Sequence, residues 1–574
     1  MKPTLRWQIF LAILGFSLIF AILAFRVEVR TITAVATTTG PAAENGPLCT
    51  GQMPLPGGVY MEGVLGAPRA LNPLLSDLYP VDRELVDLIF DGLTRVGADG
   101  RLEPALAQNW TVAEDGRTIR FQLHPDKTWH DGTPVTAADV VFSYSLLQAD
   151  DFPGLPAVKS LWQSVAISEI DPQTVEFVLS EPYAPFLEAT TRGILPAHLL
   201  SDLSAQNLVN HPFNLAPVGT GPWIAVPGQD WRQSGQLQLL PNSDYFGENV
   251  YLDGLTVRFF PGERELVAAF AAGEIDGILH VSAEMLPALA ELSQARLVTT
   301  TAPRYTTLFF NVSESGAAGV QETAVRRALA QTLDREAIVD TAVNGQGVLF
   351  DSPFLPGTWA YRPDLFTPIS HDIISATLAL DDAGWLAPEE GGVRQREEER
   401  LSLRLLTLDA APQTALAERV AAAWEQVGVS VTIAAAPDGE ALREVLAARD
   451  FDVALVEITP FADPDLYDFW SQEAIIRGQN YAGWNNRRAS EALEDGRQLW
   501  GVAERRPFYE TFLRIFANEL PAVTLYQHVD TTLFSAEVAG IGMGEIDQPR
   551  ERYASFADWH LEVETVEFPC PMDE

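Results

Sequence analysis

Two apolar runs, LSLRLLTL at 401–408 and VSVTIAA at 429–435, flank a stretch of helical periodicity from Gln413 to Gln426. Antiparallel strands can be joined by a tight turn, whereas a helix-length crossover joins parallel ones. A parallel sheet must be covered on both faces, so this unit commits the chain to a layered α/β architecture. A helix from Gly439 to Ala448 and the apolar strand FDVALVEI extend the pattern. RYTTLFFNV is β-branched and aromatic, which predicts a central strand. In VRRALAQTLDREAIVDTAV, residues Val325, Leu329, Leu333, Ile338 and Val339 fall near one helical face. A helix over 503–518 and the strand AVTLYQHV follow, then a terminal segment with few helix signals.

The first half has a different texture. Residues 57–125 alternate short strands and turns, with a helix around Val81 to Leu93. Alternation in TIRFQLH (Ile119, Phe121, Leu123) and TVEFVLS (Val175, Phe177, Leu179) predicts two half-buried strands. Between them Thr136 and Asp139 have capping-box spacing and open a helix through Leu147. GTGPW marks a tight turn near 219, followed by the strand candidates LQLLPN and LTVRFF. ERELVAAFAAGEIDG reads as an amphipathic helix stopped by glycine, before a short buried strand, ILHV. At 574 residues the chain exceeds one core, which predicts roughly two to four domains. No repeat of solenoid length is apparent.

A formal net charge of −40 argues against nucleic acid or an anionic membrane surface as partner, since both would repel it. The amino terminus is different. Lys2 and Arg6 precede Trp7 to Phe25, 19 residues without a charge, a length that spans a bilayer core. Residues 1–30 therefore read as an uncleaved signal anchor, with export of the acidic body; a cleaved signal ending near Ala34-Val35-Ala36 is the alternative. Residues 31–56, rich in Thr, Ala, Gly and Pro, read as a flexible tether. Cys49 and Cys570 lie near opposite ends of the chain, and in an exported protein they are expected to form a disulfide that ties the termini together, with two free thiols as the alternative.

Catalytic signatures are missing from the sequence. There is no G-x-S-x-G, H-E-x-x-H, C-x-x-C or Walker loop, and the eight histidines are scattered, so neither cofactor nor metal is expected. His130-Asp131 in TWHDGTP resembles a proton relay but sits between a strand and a capped helix, where the chain must reverse. Gly132 can adopt positive φ, Asp131 can bond nearby amides and His130 can anchor the turn, so the structural reading is preferred over a catalytic one.

The same stretch carries a family resemblance. FQLHPDKTWHDGTPVTAADVVFSY resembles the FxLRxGVKWHDGxPxTAxDVxFS segment of solute-binding proteins of the peptide/nickel class, which serve ABC importers. LNPLLSD, LIFDGLTRV, PVGTGPW, FAAGEIDG, DAGW, WEQVGVSVTI, FADPDLYDFW and ANELPAVTLY recur in family order, so the resemblance spans about Gly57 to Val529. It implies a two-lobed periplasmic-binding-protein fold of type II, with ligand held in the cleft and an inserted subdomain in lobe one. Projected onto this chain, lobe one is 57–90, 216–303 and 525–574, the insert 91–215 and lobe two 304–524. Both cysteines then fall with lobe one. The WHDG turn falls in the insert, away from the cleft.

The resemblance also bears on the ligand. Dipeptide and oligopeptide carriers hold the α-ammonium with an aspartate shortly before a [D/E]-P pair; aligned on Asp463-Pro464, that position is Pro460. The arginine that clamps the carboxylate in the dipeptide carrier aligns with Thr407. Without these anchors a free zwitterionic dipeptide is disfavoured, because a buried charge needs a partner. The implied cleft candidates are Tyr305, Asn311, Asp463, Asp465, Trp470, Asn480, Tyr481, Trp484 and Tyr526, which suit sugars, capped peptides or other amphipathic solutes. The expectation is a monomeric extracytoplasmic solute receptor for an ABC permease, membrane-tethered through its N-terminal helix. A receptor coupled to signalling is the alternative, and an enzyme is not expected.

Overall fold

In the computed structural model, which describes residues 48–97, 101–246, 250–388, 392–460, 462–542, 552–553 and 555–569, the strand–helix–strand unit forms as the spacing requires. Strands Ser402–Leu408 and Ser430–Ala436 pair in parallel register, with helix Gln413–Glu425 between them in the chain. Strand Val453–Ile458 lies on the other side of Ser402–Leu408, also parallel. Helix Gln413–Glu425 buries Leu416, Val420 and Trp424 on one face, and the Trp424 indole donates to the Leu329 carbonyl at 3.1 Å.

This unit is one end of a single 11-stranded mixed sheet. Next in order come the 16-residue strand Ala295–Phe310 and the 14-residue strand Ala522–Ser535, paired antiparallel. Beyond them lie Gly277–Ile278, Val59–Leu65, Gly254–Phe260, Gln236–Pro241 and Trp223–Ala225. RYTTLFFNV is thus central, as its composition predicts; of ILHV only Ile278 is in a strand, the two-residue Gly277–Ile278. VRRALAQTLDREAIVDTAV folds as two helices, Thr323–Gln331 and Arg335–Ala342, because Asp334 caps the second through the Ala337 amide.

Between residues 107 and 179 a separate four-stranded antiparallel sheet forms, containing Thr118–Leu123 paired with Thr174–Leu179. Ile119, Phe121, Val175 and Phe177 are buried, so the alternating pattern identifies the core face. Helix Ala137–Gln148 begins with the capping box, in which Asp139 accepts the Thr136 amide at 2.9 Å. Apolar side chains from residues 60–259 and 534–559 gather in one cluster, and those from 305–526 in two others.

The described residues divide into two compact units, one holding 48–52 with 565–569 and the other the described residues between 53 and 564. Strands Leu48–Leu55 and Glu562–Pro569 form a two-stranded sheet, so residues 48–55 are ordered where a tether is expected; backbone pairing, not composition, orders them. The N-terminal apolar segment, the Cys49 side chain and Cys570 lie outside the described residues, and no described helix is long and apolar enough to cross a membrane.

The WHDG turn is architectural. Gly132 has φ of +85°, and the Asp131 carboxylate accepts the Thr133 amide at 2.9 Å and faces His198 at 2.7 Å. The His130 ring accepts the Gly219 amide at 3.2 Å and donates to the Gly221 carbonyl at 3.0 Å, clamping the GTGPW turn. That turn packs so tightly that a Cβ at Gly219 would lie 1.9 Å from the Ile89 carbonyl oxygen. Burial holds the His130 ring below its usual range, matching its neutral donor–acceptor role. A group depressed in the fold contributes stability above its unfolded pKa of about 6.5, which is lost as pH falls. His130→Ala should therefore cost about 1–3 kcal/mol in urea titrations at pH 7.5 and flatten the decline on mild acidification; equal stability at pH 7.5 would contradict the clamp.

Candidate functional site

The two long strands lose register near their midpoints. Pairing runs from Ala295↔Ser535 to Thr301↔Val529 and resumes at Tyr305↔Gln527, leaving Ala302, Pro303 and Arg304 opposite His528. Pro303 has no amide to donate, so the ladder is interrupted there. His528, Val529 and Asp530 are the half-buried residues of an otherwise buried strand. Arg304 spans the break, with one guanidinium nitrogen 2.7 Å from Asp530 and another 3.6 Å from Glu457.

Glu457 shares a strand face with Val453 and Leu455, but at the strand end it emerges past the core. Burial holds its carboxyl above the usual range, Arg304 opposing and Asp530 reinforcing the shift. His528 Nε2 lies 2.8 Å from the Thr306 hydroxyl and 3.3 Å from Glu457. Burial and Arg304 depress His528 to about 3, so the ring is neutral and its contact with Glu457 is not an ion pair.

A cavity of about 190 Å³ opens beside Glu457. Its wall includes Glu457, Thr459, Asp465, Asp468 and Gln479, with Tyr183 contributed by the region that carries the separate small sheet. The wall holds three carboxylates and no lysine or arginine. The nearest arginines are committed to carboxylates of the wall or just behind it, Arg304 lying 3.6 Å from Glu457. Arg497 binds Asp465 at 2.7 Å, and Arg505 grips both oxygens of Asp463, one at 2.6 Å, while donating to Tyr509 at 2.8 Å. Among the described residues, no group of three or more His, Cys, Asp or Glu side chains converges as a metal-ligand set.

Of the cleft candidates named from sequence, Asp465 lines this cavity. Asp463 is consumed by Arg505. Tyr305 is buried, its hydroxyl donating to the Pro353 carbonyl at 3.0 Å. Buried Asn311 donates to the Phe451 carbonyl at 2.8 Å. Buried Asn480 donates to the Ser471 and Trp484 carbonyls at 2.9 Å each. The Trp484 indole donates to Glu519 at 2.6 Å, and Trp470 packs on Phe309 and Phe516. Tyr481 meets Phe309 edge-on, and buried Tyr526 lies against His528. Those aromatic and amide side chains hold the core beside the cleft together. Sequence reasoning passed over Glu457, Tyr183, Arg497 and Arg505; a lone glutamate ending an apolar strand was the available signal. Thr407 is buried, its hydroxyl 3.4 Å from the Gln413 carbonyl, and supplies no charge.

The Asp463–Arg505 pair is almost wholly removed from water, its side chains 10% and 3% exposed. Arg505→Ala should cost about 3–5 kcal/mol by leaving Asp463 unpaired. The double variant Asp463→Asn with Arg505→Gln should recover part of that loss in denaturant titrations; an additive double variant would show that the pair is uncoupled.

Comparison with known proteins gives a consistent result. The model for bacterial extracellular solute-binding proteins, family 5 (middle), matches residues 101–474. The oligopeptide-binding protein AppA of Bacillus subtilis is 25% identical over 485 residues, covering 82% of this chain and 87% of that protein. The nickel-binding periplasmic protein of Escherichia coli is 25% identical over 371 residues, covering 64% and 69%. Among solved structures, the substrate-binding protein CtaP of Listeria monocytogenes superposes with a TM-score of 0.74 at 22% identity, covering 88% of this chain and 100% of that one. The two-lobed α/β fold expected from the sequence is the fold of these structures.

Proposed function

Since the chain belongs to family 5 of the bacterial extracellular solute-binding proteins, we propose that it captures a small solute between two closing lobes and delivers it to the permease of an ABC importer. The observation that carries this reading is the cavity beside the interrupted long strands, where residues 457–479 meet Tyr183. A ligand touching both sides stabilises the closed form by its differential affinity, and a permease can read that form. The proposed division is lobe one at 57–90, 216–303 and 525–574, the insert at 91–215 and lobe two at 304–524. The N-terminal apolar segment is proposed to tether the receptor outside the membrane. The likeness to CtaP, named as a substrate-binding protein of an ABC transporter, favours import over signalling.

The wall chemistry narrows the ligand. Asp465 is already paired with Arg497, and Glu457 lies 3.6 Å from Arg304. It is therefore Asp468, with the partly neutralised Glu457, that favours a solute bearing positive charge, and the absence of a wall arginine disfavours one bearing only a carboxylate. A thermal-shift screen of the full chain in detergent, against diamines, amino-acid amides, dipeptides, oligosaccharides and nickel chelates, tests this. A cationic solute at 100 times its Kd should add about 2.7 kcal/mol. Glu457→Gln should weaken that solute about tenfold. Strongest stabilisation by an anionic solute would overturn the ligand class.

A further inference from the structure

The cleft wall is held from both sides, and the far hold comes from Glu188. This residue lies in the short helix Phe186–Ala189, more than 270 residues before the loop it touches. Its two carboxylate oxygens accept two consecutive backbone amides, Ala462 at 2.8 Å and Asp463 at 2.7 Å. The same loop carries Asp465 into the cavity wall. Three more contacts join these regions. The Ala184 amide donates to the Arg497 carbonyl at 2.8 Å, the Arg497 guanidinium stacks between the rings of Tyr183 and Tyr467, and the Trp500 indole donates to the Gly116 carbonyl at 3.0 Å.

We propose that Glu188 is a positioning residue for solute capture, coupling cleft closure to the shape of the binding wall by docking on the Ala462 and Asp463 amides. This rests on the reading of the cavity as the solute site. Glu188 does not line the cavity. It fixes the backbone from which Asp465 projects, while Arg505 and Arg497 fix the side chains of Asp463 and Asp465.

The chemistry of the hold makes it reversible. Glu188 is bonded by amides rather than by an arginine. Burial pushes its carboxyl up to about 8, with Asp463 and Asp465 adding to the rise and the two amides opposing it. Facing groups are therefore Asp463 and Asp465, each already paired with its arginine, and the ring of Tyr183 close by on the same segment. In an open cleft the carboxyl reverts towards its ordinary value of about 4.5, so closing takes up a proton between these limits. Closure is then strongest at the acid end of that interval. It weakens by up to about tenfold per pH unit as pH rises through it.

Hydrogen-exchange mass spectrometry on the full chain, without added solute, tests this from pH 5 to 9 after correction for intrinsic exchange rates. In the wild type, protection of segments 113–118, 462–465 and 496–502 should fall together as pH rises. Glu188→Gln keeps one acceptor, loses the second and cannot ionise, so protection should lie below the wild type at pH 6 but show a flat pH profile. Glu188→Ala should exchange on the order of tenfold faster in all three segments at pH 6. A Glu188→Gln variant retaining the wild-type pH profile would overturn the proposal. So would a Glu188→Ala variant altered at 462–463 alone. If Glu188→Ala instead exchanges faster throughout the body, the Glu188→Gln profile decides. Solute stabilisation is measured separately, so the binding reading survives failure of this one.

Discussion

The pairing of Ala295–Phe310 with Ala522–Ser535 is the constraint on which the rest of the structure depends. These strands sit between the parallel unit at 402–458 and the strands from the first half, so one hydrogen-bonded ladder carries both. Its interruption at Ala302-Pro303-Arg304 is the one register break spanning several residues in that ladder. A missing amide and an unpaired stretch lower the cost of bending there, which a continuous ladder would resist. Arg304, reaching both Asp530 and Glu457, keeps the break from opening the sheet.

Charge allocation follows from that geometry. The chain has 38 lysines and arginines against 78 aspartates and glutamates, so cations are scarce. Near the cleft they are spent on carboxylates already withdrawn from water, Arg505 on Asp463 and Arg497 on Asp465, where an unpaired charge would be most costly. The cavity wall is left with acceptors. Its charge balance is thus partly a consequence of how the surrounding core was neutralised.

Legibility in the sequence differed by level. Periodicity identified Thr118–Leu123, Thr174–Leu179, Ser402–Leu408 and their neighbours because one-sided burial forces a two-residue repeat. The capping box at Thr136 and the turn chemistry of Gly132 were legible because both are local. Site residues were harder. Trp470, Asn480 and Trp484 have the composition of a ligand wall yet bond to one another's backbone and to the core, since aromatic and amide groups serve both ends equally well. Residues 48–55, with a tether's composition, are ordered by a partner more than 500 residues away.

What the sequence by itself determined is the set of local commitments: a parallel unit in the second half, an antiparallel sheet in the first, a clamp at His130 and the family to which these belong. What only the tertiary structure decided is which polar groups face the cleft. Glu457 and Asp465 come from one stretch, Tyr183 and the Glu188 that braces the wall from another far earlier in the chain, and their neighbours in sequence carry no mark of the encounter. Burial and charge pairing act through space, and a side chain's solvation is set by whatever long-range packing brings against it.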